Sequence, residues 1–385
     1  MRTLRLLPIA AALLAATALD AQDIALTGAT IYPVSGPKLE NATIVLRDGR
    51  IVSVGTNVAV PAGARVIDAR GKWITPGFIN AATTLGLSEA GSPQFSGGYN
   101  DASARGPNGV TASFDAWRGL NPASTLFAPA RDEGVTSVVV APGGRMVSGR
   151  LAVIDLVDAS TAGEMLRRGG VAMAGDFGSP GAGSAASRAE YWARWRTLVN
   201  DVRVYQQRRA QFENGATREF AAPQAELEAL VPVVSGQMPL VLSVDRASDI
   251  LEALAFAKEM NLKLWLESAS EGWLVAREIA AAGVPVFVGA MNNIPVSFDA
   301  LSSAQENAAL LRAAGVTVVL IGNGPGDPAT FNVRNIRQEA GNAVAYGMSW
   351  DEALRAITLS AAQVLGIADR VGTLEAGKDA NLVVW

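Results

Sequence analysis

From Ile24 to Ile31 and from Ala42 to Leu46, apolar and β-branched residues alternate or run together at strand spacing. Asp48-Gly49 then separates Thr43–Arg47 from Arg50–Gly55. Both residues tolerate positive φ, so the pair predicts a tight hairpin. Arg65–Asp68 gives a further short strand, and this opening segment reads as a small sheet. From Trp73 the pattern changes. Short apolar runs recur at Thr136–Ala141, Val171–Ala174, Leu240–Val244, Lys263–Glu267, Val284–Val288 and Val316–Ile321. Segments with apolar residues at helical spacing fill the gaps, among them Ile250–Lys258 and Glu271–Ala282. Such alternation predicts an α/β fold, a parallel sheet with helices outside. Periodicity alone leaves open whether the sheet is doubly wound or closed into a barrel.

Ala189–Phe212 predicts a long amphipathic helix whose Trp192 and Trp195 face the core rather than a ligand. Gly86–Gly109 and Gly175–Gly183 read as loops, and Gly143-Gly144 and Gly322–Gly326 as turns. None is a phosphate loop, because Gly-Lys-Ser/Thr does not occur in the chain. Ser349-Trp350-Asp351-Glu352 is a capping box and predicts a helix start.

Composition narrows the function classes. An apolar fraction of 49% supports a large core. A net charge of -4 and the absence of a basic cluster argue against nucleic-acid binding. Arg2 and Arg5 followed by the apolar run Leu6–Ala16 and Ala16-Thr17-Ala18 predict a signal peptide over residues 1–21, cut after Ala18 or Ala21. The run is short for a membrane span, and no other reaches that length, so no membrane association is expected after its removal. With no cysteine, an exported chain is held by its core alone, which suits a periplasmic or secreted protein.

Gly71–Gly86, with Gly71-Lys72-Trp73-Ile74-Thr75-Pro76-Gly77-Phe78-Ile79-Asn80-Ala81-Ala82-Thr83-Thr84, resembles the first barrel strand of the amidohydrolase superfamily. The stretch Gly372–Trp385 resembles that family's tail, where the chain returns to its N-terminal sheet. The resemblance, of the imidazolonepropionase and dihydroorotase type, covers about Ile24 to Trp385. It implies a TIM-like (β/α)8 barrel over residues 76–369 and a small β-sandwich built from residues 22–75 and 370–385. Trp385 would fall inside a strand, so the chain is expected to continue beyond it.

The family holds one or two divalent metals, zinc or another ion. The ligands are a His-x-His pair, a strand-four Lys or Glu, histidines on strands five and six, and an aspartate after strand eight. This chain has no histidine at all. The resemblance places Ala82 and Thr84 at the His-x-His positions and Ser243 and Asp245 at strand five. It places Ser268 at strand six, Asn323 at the aspartate position and Ala172 at the bridging position. Alanine offers no donor atom, hydroxyls are poor zinc ligands, and an amide cannot take a proton as a carboxylate does. No cofactor is therefore expected, and His-based Ser or Cys triads are excluded. Thr84, Ser243, Ser268 and Asn323 remain as candidate ligand-binding groups. Asp245 and Glu267 remain as candidate catalytic carboxylates, with Glu89 or Asp176 as helpers at an oxygen-only cation site. A pairing of Asp245 with Arg246 or Arg145 is the plainer expectation.

Three readings follow. The first is an exported protein, by descent a hydrolase of non-peptide cyclic-amide C–N bonds, which lacks the zinc centre and binds a small-molecule ligand. The second is an active hydrolase using Asp245 and Glu267 as a carboxylate base or with an oxygen-ligated metal. The third is a non-catalytic subunit paired with an intact paralogue; a second copy of this chain or such a paralogue is the protein partner expected.

Overall fold

The computed structural model describes residues 22–89, 100–143, 146–177, 187–215, 218–324 and 329–385. The expected signal peptide, Arg145 and parts of the glycine-rich loops lie outside them. Among the described residues no helix is long and apolar enough to cross a membrane.

Five strands open the chain: β1 (Ile24–Ile31), β2 (Leu39–Arg47), β3 (Arg50–Gly55), β4 (Arg65–Asp68) and β5 (Trp73–Pro76). Asp48 and Gly49 turn β2 into β3 with φ of 49° and 70°, the left-handed pair that matches strand twist. The register Arg47↔Arg50 makes this a two-residue hairpin. β1 lies between β2 and β5, and β4 runs parallel to its first half. Ile31, Ile44, Ile51 and Ile74 form the core of this sheet.

The larger part of the chain carries β6 (Phe78–Thr83), β7 (Val135–Val140), β8 (Val147–Arg150), β9 (Ala152–Asp155), β10 (Leu166–Arg168) and β11 (Met173–Asp176). β12 (Leu240–Val244), β13 (Leu264–Ser268), β14 (Val286–Val288) and β15 (Val318–Leu320) follow. The last strand, β16 (Leu382–Val384), pairs antiparallel with β5 and so ties the chain's end to its beginning. Two sheets result, β10-β9-β7-β6 and β15-β14-β13-β12-β11-β8. Backbone bonds from Leu151 to Ala172 and from Val171 to Leu151 join them.

One interior cluster collects Ile79, Val139, Val153, Val241, Trp265 and Phe287, drawn from both sheets. Both sheets therefore curve around a common core, the α/β layout expected for this chain, with helices packed outside. Parallel pairing runs unbroken from β11 to β15. The antiparallel β8, β9 and β10 are an addition that periodicity did not reveal. They are only three or four residues long and carry Gly149 and charged residues, which blurs any alternation.

Boundaries shift at a few places. β11 starts two residues later than Val171 and ends on Asp176, which puts a carboxylate at the strand's C-terminal tip. The predicted helix Glu271–Ala282 becomes a 3₁₀ turn, Gly272–Val275, followed by Ala276–Ala282. Helix Arg188–Gln207 buries Trp195 in the outer core, and its indole N–H donates to the Asp176 carbonyl at 3.2 Å. Trp192 packs on Phe256. Both tryptophans are therefore packing residues, as expected. Ser349 caps its helix by accepting from the Glu352 N–H at 3.3 Å.

Candidate ligand-binding mouth

The C-terminal tips of β11, β12 and β13 set the site. Asp176 pairs in register with Ser243, and Ser243 with Glu267. Residues in register on parallel strands share a face. Val241 and Trp265, two positions earlier, belong to the interior cluster. Side chains repeat every second residue, so Ser243 and Glu267 point into the same interior, one layer closer to the mouth.

Glu267 is half-buried, and among the described residues no donor bonds its carboxylate. Its pKa rises from 4.5 to about 7, first through burial, then through the negative charges of Asp176 and Asp245. Near neutral pH it is shared between an acid that donates a proton and a base that takes one.

Asp245 lies just past β12. Its Oδ1 accepts from Ser268 Oγ at 2.6 Å, Ser270 Oγ at 2.5 Å and Ser270 N at 3.2 Å. The expected pairing with Arg246 does not form. Arg246 instead donates to Asp299 at 2.9 Å, because the chain turns into the helix Ala247–Glu259 there and sends consecutive side chains apart. Arg145 is outside the described residues. What serves Asp245 instead is a strained turn: Ser268 and Ala269 hold φ of 71° and 44°, left-handed values that non-glycine residues avoid. That turn swings both serines over the carboxylate.

The remaining expected residues have other partners. Thr84 shares a 2.6 Å hydrogen bond with Thr330. Asn323 Oδ1 accepts from the N–H groups of Met291 at 3.0 Å and Asn292 at 3.2 Å, and its Nδ2 donates to Asn293 Oδ1 at 2.9 Å. Its side chain lies where a Cβ on Gly289 would stand. Glu89 accepts from Thr125 at 3.5 Å in the loop after β6. The structure thus brings together Ser243, Asp245, Glu267 and Ser268, with Asp176 beside them, and holds Thr84 and Asn323 separately.

The family's zinc does not fit this donor set. Ala82 supplies no atom, Thr84 and Asn323 are already bonded, and the serines are neutral. Among the described residues no three acidic side chains are grouped as ion ligands, Asp176, Asp245 and Glu267 included.

Sequence reasoning missed Glu339. This carboxylate, 1% exposed, accepts four backbone N–H groups: Ala290 at 2.6 Å, Met291 at 2.8 Å, Asn323 at 2.7 Å and Gly324 at 2.9 Å. Burial raises its pKa, and the four amides pull it back down. The signal was present: Glu339 sits on the buried stripe Ile336, Ala340, Ala343 of its own helix.

The cavity at the mouth is small, about 40 Å³, lined by Asp176, Ser243, Asp245, Arg246, Asp249 and Asp299. A roomier cavity of about 330 Å³, lined by Trp73, Phe78, Trp350 and Trp385, lies by the small sheet. Its Arg337 is paired with Glu133, and it contains none of the mouth's carboxylates.

Comparison with known proteins gives a consistent result. Residues 243–385 match a sequence model of the Amidohydrolase family. An imidazolonepropionase from Acidiphilium cryptum is 26% identical over 90% of this chain and 87% of its own length. Another imidazolonepropionase, from Mesorhizobium japonicum, is likewise 26% identical over 90% and 87%. The crystal structure of an amidohydrolase from Thermotoga maritima MSB8 superposes with a TM-score of 0.83 at 26% identity, covering 94% of each chain.

Proposed function

We propose, from the premise that this chain belongs to the amidohydrolase superfamily, that it is an exported member which has relinquished the zinc centre and binds a small cyclic-amide ligand at the barrel mouth. The ligand class follows from the relatives' imidazolone ring, and ancestry sets a prior that the site must justify. One observation supports the reading: Asn323, which the resemblance matches to the family's proton-handling aspartate, has its amide committed to Met291, Asn292 and Asn293. An amide so held neither takes a proton nor turns toward a metal-bound water. Ser243 and the protonated form of Glu267 offer donors to a ring carbonyl, and Asp245 and ionised Glu267 accept from a ring N–H.

The test is elemental analysis of mature, untagged protein, together with calorimetric titration of hydantoin and related cyclic amides. Micromolar-range binding without stoichiometric zinc and without turnover is the expected result. A full equivalent of zinc with hydrolysis would overturn it. Mass spectrometry of the exported protein reads the N-terminus, expected after Ala18 or Ala21.

Glu267 favours a second reading, metal-independent hydrolysis. A carboxylate with a pKa near 7 can accept a proton from water at neutral pH. Turnover of the same amides that survives chelation and disappears in Glu267→Gln would select it over binding alone.

A further inference from the structure

The connection between β14 and the helix Asn307–Ala313 reaches the mouth, where its Asp299 lines the small cavity. Its near end is fixed by Asn323 and Glu339, which hold the N–H groups of Ala290, Met291 and Asn292. Its far end is fixed at Ser302, whose N–H donates to Glu271 at 2.9 Å and whose carbonyl accepts from Trp273 Nε1 at 2.7 Å. Between these anchors Ile294, Val296, Phe298 and Leu301 are 48%, 70%, 83% and 59% exposed and of the apolar side chains the small Ala300 is the buried one, at 3%, so apolar packing does little to hold the segment down.

One side chain does. Asp299 is bound by Arg246 at 2.9 Å and by Arg188, which also grips Asp249 at 2.7 Å. Among the described residues these are the side-chain links from 294–301 to the rest of the protein. Asp299 also lines the cavity that contains Ser243 and Asp245. That cavity, at about 40 Å³, has room for water but not for an organic ring, since ligand pockets span roughly 300–1,000 Å³.

We infer that residues 294–301 form a lid over the mouth, hinged at Asn293 and Ser302 and latched by Asp299 to Arg188 and Arg246. Opening breaks two partly exposed ion pairs, whose strength is modest and falls with salt, and leaves the β14 and β15 tips in place. The anchored ends and the lone central latch make this a two-position element rather than a loose loop. The lid regulates the site proposed above and rests on that reading. Its test reads access rather than binding, so the two fail separately.

The chain has no cysteine, so Ser243→Cys puts a single thiol beneath the lid. Its labelling rate with iodoacetamide is compared with and without Asp299→Asn, and Ser235→Cys on the exposed surface corrects for the reagent. Hydrogen exchange is followed in parallel on the cysteine-free protein with and without Asp299→Asn. The expected result is labelling about tenfold faster when the latch is removed or salt is raised, with faster exchange confined to 294–301. Unchanged labelling and exchange would overturn the latch. Faster exchange that spreads into β14 and Asn323 would also overturn it, because Asp299 would then hold the fold and not a lid. Should the Ser243→Cys protein fail to fold, the exchange experiment alone decides.

Discussion

The tips of β11–β13 and the tips of β14–β15 face the same mouth, yet they are built in opposite ways. At β14–β15 the buried polar side chains are held: Glu339 takes four amides, and Asn323 takes two more and donates to Asn293. No non-glycine residue with positive φ occurs there among the described residues. At β11–β13 two successive non-glycine residues are left-handed, and among the described residues no donor bonds the Glu267 carboxylate. Satisfied groups are what stability selects, whereas strain and unmet polar groups persist where a ligand completes them. The contrast supports the proposal that the first region is scaffold and the second binds the ligand, although the family resemblance would place reactive groups in both.

The sharpest way to break this contrast is Glu339→Ala. Four buried N–H groups would lose one charged acceptor. Hydrogen bonds to a charged group contribute about 1.5–3 kcal/mol each, and they share a single side chain, so a total of roughly 3–5 kcal/mol is expected. Denaturant unfolding measures it. A loss under about 1 kcal/mol would mean that the β14–β15 tips are held by something other than this carboxylate. Ser243→Ala, at the other region, should change stability by no more than about 1 kcal/mol.

Second in size is a pH effect confined to the β11–β13 side. Glu267 titrates at about 7 in the folded protein against an ordinary 4.5. A raised folded pKa means that the native state binds the proton more tightly than the unfolded chain. That stabilisation is complete below 4.5 and is lost as pH rises through about 7. Glutamine at this position stays neutral throughout. Relative to Glu267→Gln, the wild type should therefore lose up to about 3 kcal/mol between pH 4.5 and 8, most of it before pH 7. Urea unfolding of both proteins across that range is the measurement. A constant difference would show that water or a cation already meets the Glu267 charge.

Much of the architecture was legible in the residues. Asp48-Gly49 announced its hairpin, Ser349 and Glu352 their helix start, and Leu240–Val244 matched its strand to the residue. These features depend on local chemistry, which a sequence displays directly. What it concealed depends on distant partners. Asp245 looks like an arginine's neighbour on paper because Arg246 follows it, yet the serines that bind it come from the next strand. Glu339 and Asn323 are 16 positions apart and meet only when the barrel brings a helix to the tip of β15. The antiparallel β8–β10 were hidden by brevity. The row Asp176, Ser243, Glu267 needed parallel register, which no single strand encodes.

The smallest effect tests where the strain lies. Ser268 contributes a hydrogen bond to Asp245 at 2.6 Å and sits at φ 71°. Ser268→Ala removes the bond and keeps the unfavourable backbone, so a loss of about 1–2 kcal/mol is expected. Ser268→Gly removes the same bond but adopts that φ freely, and it should recover roughly 1 kcal/mol of the loss despite glycine's greater unfolded-state entropy. Thermal or urea unfolding of the pair gives the difference directly, with the lost hydroxyl common to both. Equal stabilities would place no strain at the β13 tip, and the two regions would then differ in charge alone. A glycine variant more stable than the alanine one, combined with weaker binding of hydantoin if the wild type binds it, would mean that the turn's strain serves to hold Asp245 and the serines in the geometry the proposed ligand meets.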